Sequence, residues 1–244
     1  MKHVTDKHGF NPNNIITEQK GNVTGSGTFD TVTLTGTPTK DSMFIQNISL
    51  SVQNGRTGRI SNVTLPENQG YNPTIFLGDF TGNKTKDVLV QIDSGGSGAM
   101  TFDYIYSFSS KVNKEPQLLF NSDEYNNSYS YKVSYENYYL VNAESEHNKK
   151  LYIIDIAYKD KSYLKEIYHP NGTLKEPISG FVNPLSSLFP VDVDRDGIYE
   201  LMAFQKIAGR FNADSLGYFE NILKWEDSKF VLNLQYLGIF GGTY

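Results

Sequence analysis

Between residues 192 and 200 the chain reads Asp-Val-Asp-Arg-Asp-Gly-Ile-Tyr-Glu, which sets carboxylates at Asp192, Asp194, Asp196 and Glu200. Side-chain oxygens at alternate positions of a tight loop converge on one point, and the carbonyl of Ile198 adds another donor. Hard oxygen donors in that number suit Ca2+, which accepts six to eight of them at irregular angles. Gly197 stands where the chain must turn sharply after the third donor. Four carboxylates this close repel one another strongly unless a cation lies among them. An EF-hand is excluded: its bidentate glutamate would fall on Ala203, and no helical pattern flanks the loop.

Two further stretches fit the same frame. "GDFTGNKTKDVLVQ" (78–91) places Asp79, Thr81, Asn83, the carbonyl of Thr85 and Asp87 at the donor positions. "GNVTGSGTFDTVTL" (21–34) places Asn22, Thr24, Ser26, the carbonyl of Thr28 and Asp30 there. The carboxylate count falls from four to two to one across the three loops, so calcium occupancy is expected in that order. The plainer reading is a set of Asx-rich turns held by side-chain to backbone hydrogen bonds, and it is strongest for the first loop.

The loops recur at a spacing of about 57 residues, the last one two periods after the second. Four units follow, at about 21–77, 78–134, 135–190 and 191–244, after a tail over 1–13 and within a single domain over 14–244. In the third unit, "YENYYLVNAES" keeps the strand but has only a plain turn where the loop should be. Runs such as "TIFLGDF", "DVLVQID", "YELMAFQ" and "FVLNLQYL" are short, β-branched or aromatic, and bounded by turn residues. Four such strands per repeat predict an all-β fold, a small β-propeller of about four four-stranded blades, with a flat sandwich as the alternative. "SYSYKVSY" puts Tyr129, Tyr131, Val133 and Tyr135 on one strand face, expected to pack between blades rather than to bind a ligand.

With their spacing and context, the three loops resemble the calcium hairpins of FG-GAP/VCBS-type repeats, found in integrin-α-like β-propellers and many bacterial surface proteins. "LGDFTGNKTKDVLV" and "VDVDRDGIYEL" match that motif well, and "GNVTGSGTFDTV" is a ligand-poor version of it. The resemblance implies calcium hairpins that join the first two strands of each blade and are chiefly structural. It also implies a ring that usually has seven blades. Four units depart from that number, so a closed ring and pairing between chains both stand open.

If the hairpins share one face, the next connection in each unit points to the other. "DSGGSG" and "KIAGRFNADS" are the most unusual of these connections, offering Asp93, Ser94, Ser97, Arg210, Asn212 and Asp214 as ligand-face candidates. Catalytic patterns are thin. "GGSGA" lacks the last glycine and the following helix of a nucleophile elbow, and His3, His8, His147 and His169 share no metal spacing.

Composition narrows the rest. A net charge of −5 leaves no basic footprint for nucleic acid, and no apolar run is long enough to span a bilayer. Zero cysteines exclude disulfides and thiolate metal sites. Six Asn-x-Ser/Thr sequons, two of them inside the loops, are read as unused, which points to a bacterial source. The N-terminus has no apolar leader, whereas calcium loops with an affinity of ~0.1 mM make physical sense outside the cell or in a calcium-rich spore. The expected function is a calcium-binding, non-enzymatic binding or structural module at a bacterial cell or spore surface. Its partner would be a protein or carbohydrate, and oligomers are allowed. The alternative is a hydrolase or lyase acting on polysaccharide.

Overall fold

A computed structural model describes residues 14–109 and 115–242. The tail assigned to 1–13, with His3 and His8, lies outside the described residues. The fold is all-β, as expected, and the described residues form fifteen strands and two seven-residue helices. No described helix is long and apolar enough to cross a membrane.

The strands form three sheets. The first is a four-stranded antiparallel meander of β1 (Ile15–Gly21), β2 (Asp30–Pro38), β3 (Ile45–Gln53) and β4 (Ile60–Thr64). The second repeats that order with β5 (Tyr71–Gly78), β6 (Asp87–Asp93), β7 (Thr101–Ser107) and β8 (Gln117–Asn121), and continues into α1 (Ser122–Ser128). In both, the oxygen-rich loop joins the first two strands, so each unit starts one strand earlier than the boundaries read from the loops.

The remaining strands do not divide into two further blades. The third unit supplies only β9 (Tyr131–Glu136), β10 (Leu140–Ser145) and β11 (Lys150–Asp155), then α2 (Lys161–Ile167) in place of a fourth strand. The fourth unit opens with β12 (Ser179–Val191), whose 13 residues are enough to pair twice. Its first residues bond β9, at Ser179↔Ser134 and Gly180↔Val133, and the rest bond β13 (Glu200–Ala208). With β14 (Ser215–Glu226) and β15 (Lys229–Gly238) this gives one seven-stranded sheet, ordered β11-β10-β9-β12-β13-β14-β15. The sheet curls until its edges meet, where the Tyr152 hydroxyl on β11 donates to the Gln235 carbonyl on β15 (3.1 Å). It is a nearly closed barrel, a form that hides edge strands which would otherwise template pairing with other chains.

Alternation along the strands builds three cores. On β6, Val88, Val90 and Ile92 face the first sheet, while Leu89 faces the barrel. Tyr104 and Tyr106 on β7 join the first core and Ile105 the second. A strand buried on both faces explains why "DVLVQID" reads as a nearly unbroken apolar run. On β13, Leu201 and Ala203 pack toward the second sheet and Ile207 lies in the barrel interior. Val133 and Tyr135 of the aromatic strand are buried in that interior, and Tyr131 stacks on Phe219 at 4.3 Å.

Candidate functional site

The three oxygen-rich loops are hairpins β1–β2, β5–β6 and β12–β13, and their backbones repeat one geometry. The fourth and sixth loop positions are left-handed in all three: Gly25 and Gly27, Gly82 and Lys84, Arg195 and Gly197. That conformation is natural for glycine and strained for lysine or arginine. The ninth-position carboxylate accepts the second-position amide each time, at Asp30 from Val23 (2.9 Å), Asp87 from Phe80 (3.3 Å) and Glu200 from Val193 (3.0 Å). The first-position side chain accepts amides across the loop, including Gly27 N–H on Asn22, Lys84 N–H on Asp79 and Gly197 N–H on Asp192.

Main-chain bonds string the hairpins together at one end of the sheets. Lys86 N–H donates to the Asn22 carbonyl (3.1 Å), and Tyr199 N–H donates to the Asp79 carbonyl (2.8 Å). The Tyr199 ring packs edge-on against Phe76 (5.1 Å), so the β5–β6 and β12–β13 hairpins share an aromatic foundation.

In the β12–β13 hairpin, carboxylate oxygens of Asp192, Asp194 and Glu200 all lie within 4.8 Å of one another. Asp192 and Glu200 are half-buried and Asp194 is exposed. Asp196 stands outside this group and accepts the Ile198 amide (2.7 Å). Three convergent carboxylates fit a hard divalent cation.

The second hairpin fits for a different reason. Asp87 is fully buried, and neither its Oδ1 nor Thr85 Oγ1 has a hydrogen-bond partner, while the Thr81 hydroxyl stands close enough to lower the Asp87 pKa. Burial pushes the Asp87 pKa up to about 6; the nearby Ser107 hydroxyl and the Phe80 amide restrain the rise, and Asp79 adds to it. Orphaned buried oxygens are rare, and an ion is one of their ordinary explanations. Asn83 accepts the Thr85 amide (2.8 Å).

In the first hairpin the oxygens are engaged within the protein. Asp30 takes amides from Val23, Thr24 (2.8 Å) and Gly55 (2.9 Å) and the Thr24 hydroxyl, while Ser26 and Thr28 bond each other (2.8 Å).

The ligand-face candidates fall into two groups. Asp93 accepts from Asn72 (2.9 Å), Ser94 donates to the Met100 carbonyl (2.7 Å), and the Ser97 carbonyl accepts from Lys206 (2.9 Å). Asp214 is buried and accepts from Lys159 (2.5 Å), Tyr163 (2.7 Å) and Tyr135 (3.2 Å). Burial alone would raise its pKa, but the Lys159 and Tyr163 bonds hold it below the ordinary value. Arg210 pairs with Glu166 (2.6 Å), and Asn212 Oδ1 is buried without a partner. This second group locks α2 to the barrel instead of lining an opening.

Sequence reasoning passed over a belt of buried amides inside the barrel. Gln205 accepts from Tyr125 (3.0 Å) and Tyr131 (2.8 Å), and Asn221 donates to both of those hydroxyls. Gln235 donates to Asn221 (2.8 Å) and accepts from Asn148 (3.1 Å). A cavity of about 360 Å³ opens where β12 leaves β9 and reaches this belt at Tyr131, Asn183 and Gln205. The only signal in the sequence was the placement of amides at strand positions that alternate with core residues.

Comparison with known proteins follows the same division of the chain. The profile of the YybI C-terminal domain matches residues 129–238, the stretch that forms the seven-stranded barrel. YybI of Bacillus subtilis (strain 168), described as an uncharacterized protein, is 47% identical over 227 residues, covering 93% of this chain and 86% of the relative. A match of that identity and span reaches both sheets as well as the barrel, and on it the chain belongs to the YybI family.

Proposed function

We propose that this protein is a calcium-binding, non-enzymatic binding or structural module of a bacterial cell or spore surface. Its hairpins are read as FG-GAP/VCBS-type calcium loops set on stacked, blade-like sheets, a propeller-like arrangement in which the last two units have fused. The observation that carries this reading is the convergence of Asp192, Asp194 and Glu200 within 4.8 Å. The unpartnered buried oxygens of Thr85 and Asp87 support a second, weaker ion in the β5–β6 hairpin. The cation neutralises carboxylates that otherwise repel and rigidifies the end of the molecule where the hairpins meet. A surface protein or carbohydrate is the partner class this reading calls for.

A thermal melt in Ca2+ and in EDTA tests it. With an affinity of ~0.1 mM, one site at ~2 mM Ca2+ adds about 1.8 kcal/mol. For a chain of this size that raises the midpoint by roughly 4–7 °C. The Asp192→Ala, Asp194→Ala double variant is expected to lose most of this response. An identical midpoint in Ca2+ and EDTA, with no metal co-purifying, reduces the hairpins to hydrogen-bonded turns and removes the reading.

A further inference from the structure

The third unit, which lacks an oxygen-rich loop, is built differently at that position. Its β9–β10 connection is Asn137-Tyr138-Tyr139, and both tyrosines are left-handed with φ of 63°. Glycine or asparagine adopts this conformation readily, whereas a bulky residue is strained there by roughly 1–2 kcal/mol. The strain is held in place from outside the turn: Tyr138 N–H donates to the Gly172 carbonyl (2.7 Å), and Asn137 Oδ1 accepts the Leu174 amide (2.9 Å). Strained residues that the surroundings overdetermine cluster at ligand clamps and other functional positions.

Beside this turn lies a groove of about 400 Å³. Tyr139, Leu164, Tyr168 and Pro170 form an apolar floor, with the two tyrosine rings edge to face at 4.8 Å. Lys161, Lys165 and Lys175 stand on its rim, and no carboxylate lines it. Asp160 and Glu176 adjoin Lys161 and Lys175 in sequence, Glu166 pairs with Arg210 (2.6 Å), and Glu136 accepts from Ser134 (3.1 Å) and Asn142 (3.3 Å); among the described residues none of these acids forms an ion pair with the three lysines. Lys175 Nζ donates to the Lys165 carbonyl (2.5 Å), and the His169–Thr173 turn is closed by its own main-chain bond (2.8 Å), so the walls are preformed. Exposed Lys161 and Lys165, without an ion-pair partner among the described residues, stand over an aromatic floor in a chain whose net charge is −5, and favour an anion with a flat apolar body.

We propose that this groove is a binding site for a small aromatic carboxylate. The flat ring system stacks on the face of one of the two tyrosines and meets the edge of the other, and the carboxylate meets the lysine rim. The site is separate from the metal hairpins and does not depend on calcium.

Calorimetric titration of the full chain with 2-naphthoate, in the presence and absence of EDTA, tests it. Saturable one-to-one binding is expected, at least tenfold tighter than for the neutral isostere 2-naphthamide, weakened by added salt and unaffected by EDTA. Lys161→Gln with Lys165→Gln changes only exposed side chains and is expected to weaken naphthoate at least fivefold while leaving the melting midpoint in place. Tyr139→Gly removes the ring and relieves the backbone strain, and is expected to abolish binding in a chain that still melts cooperatively. Equal binding of the amide and the acid, unchanged affinity in the lysine variant, or no saturable binding at millimolar naphthoate each overturns the proposal.

Discussion

Asp103 is a carboxylate buried in the middle of β7, where it accepts from Thr101 Oγ1 (2.6 Å) and Gln91 Nε2 (2.8 Å). Burial pushes its pKa up from 3.8 to about 6; the two hydrogen bonds restrain the rise, and Asp93 adds to it. The folded protein therefore holds this proton more tightly than the unfolded chain does. Its contribution to stability is complete below about pH 4 and is lost as pH rises through about 6. Asp103→Asn keeps the size and the acceptor for Gln91, turns the Thr101 bond round so that the hydroxyl accepts from the new amide, and removes the charge. The variant is expected to be more stable than the parent at pH 8 by on the order of 1–2 kcal/mol, with the advantage gone at pH 4. Urea denaturation at the two pH values checks this, and a pH-independent difference would show that burial of charge is not the cause.

The barrel seam depends on one element, β15, reaching β11 across the interior. Gln235 carries that contact, since its amide bonds Asn221 while its oxygens receive Asn148 and Tyr152. It is also nearly solvent-free, so removing it leaves buried partners without replacement by water. Gln235→Ala is expected to cost about 2–3 kcal/mol in urea denaturation. Amide hydrogen exchange is expected to speed up first along β11 and β15, because the seam opens before the cores do. A loss spread evenly over all three sheets would deny the belt this local role.

Across the whole molecule, the cores are linked by shared strands. β6 and β7 each bury residues in the first and second cores, and β13 buries residues in the second core and in the barrel. No sheet can leave without stripping an apolar face from its neighbour. Unfolding is therefore expected to be a single transition despite the boundary of the C-terminal family domain at residue 129. The lone tryptophan, Trp225, packs on Phe230 beside the second core and reports on it. Its fluorescence and the far-UV circular dichroism are expected to fall together in guanidinium. Two separated midpoints would mean that the barrel and the two four-stranded sheets fold as independent units.

The sequence by itself determined the local features. Alternating and doubly buried apolar runs specified the strands, and the Gly-rich, oxygen-rich spacing specified three hairpins with one backbone geometry, because these follow from steric and polar rules acting over a few residues. The exact repeat of left-handed positions at Gly25/Gly27, Gly82/Lys84 and Arg195/Gly197 is the clearest case. Tertiary structure decided what those units became. Whether β12 stayed in its own blade or also paired with β9 depends on contacts between residues 45 positions apart at Ser134 and Ser179, which no local pattern encodes. The same holds for the hydrogen bonds that satisfy Asp30 while leaving Asp87 Oδ1 unpartnered, since Gly55 reaches the first carboxylate from another hairpin. The lysine-rimmed groove was invisible for that reason too: its floor and rim come together only when α2 and the 169–175 turn close over the Tyr138-Tyr139 corner.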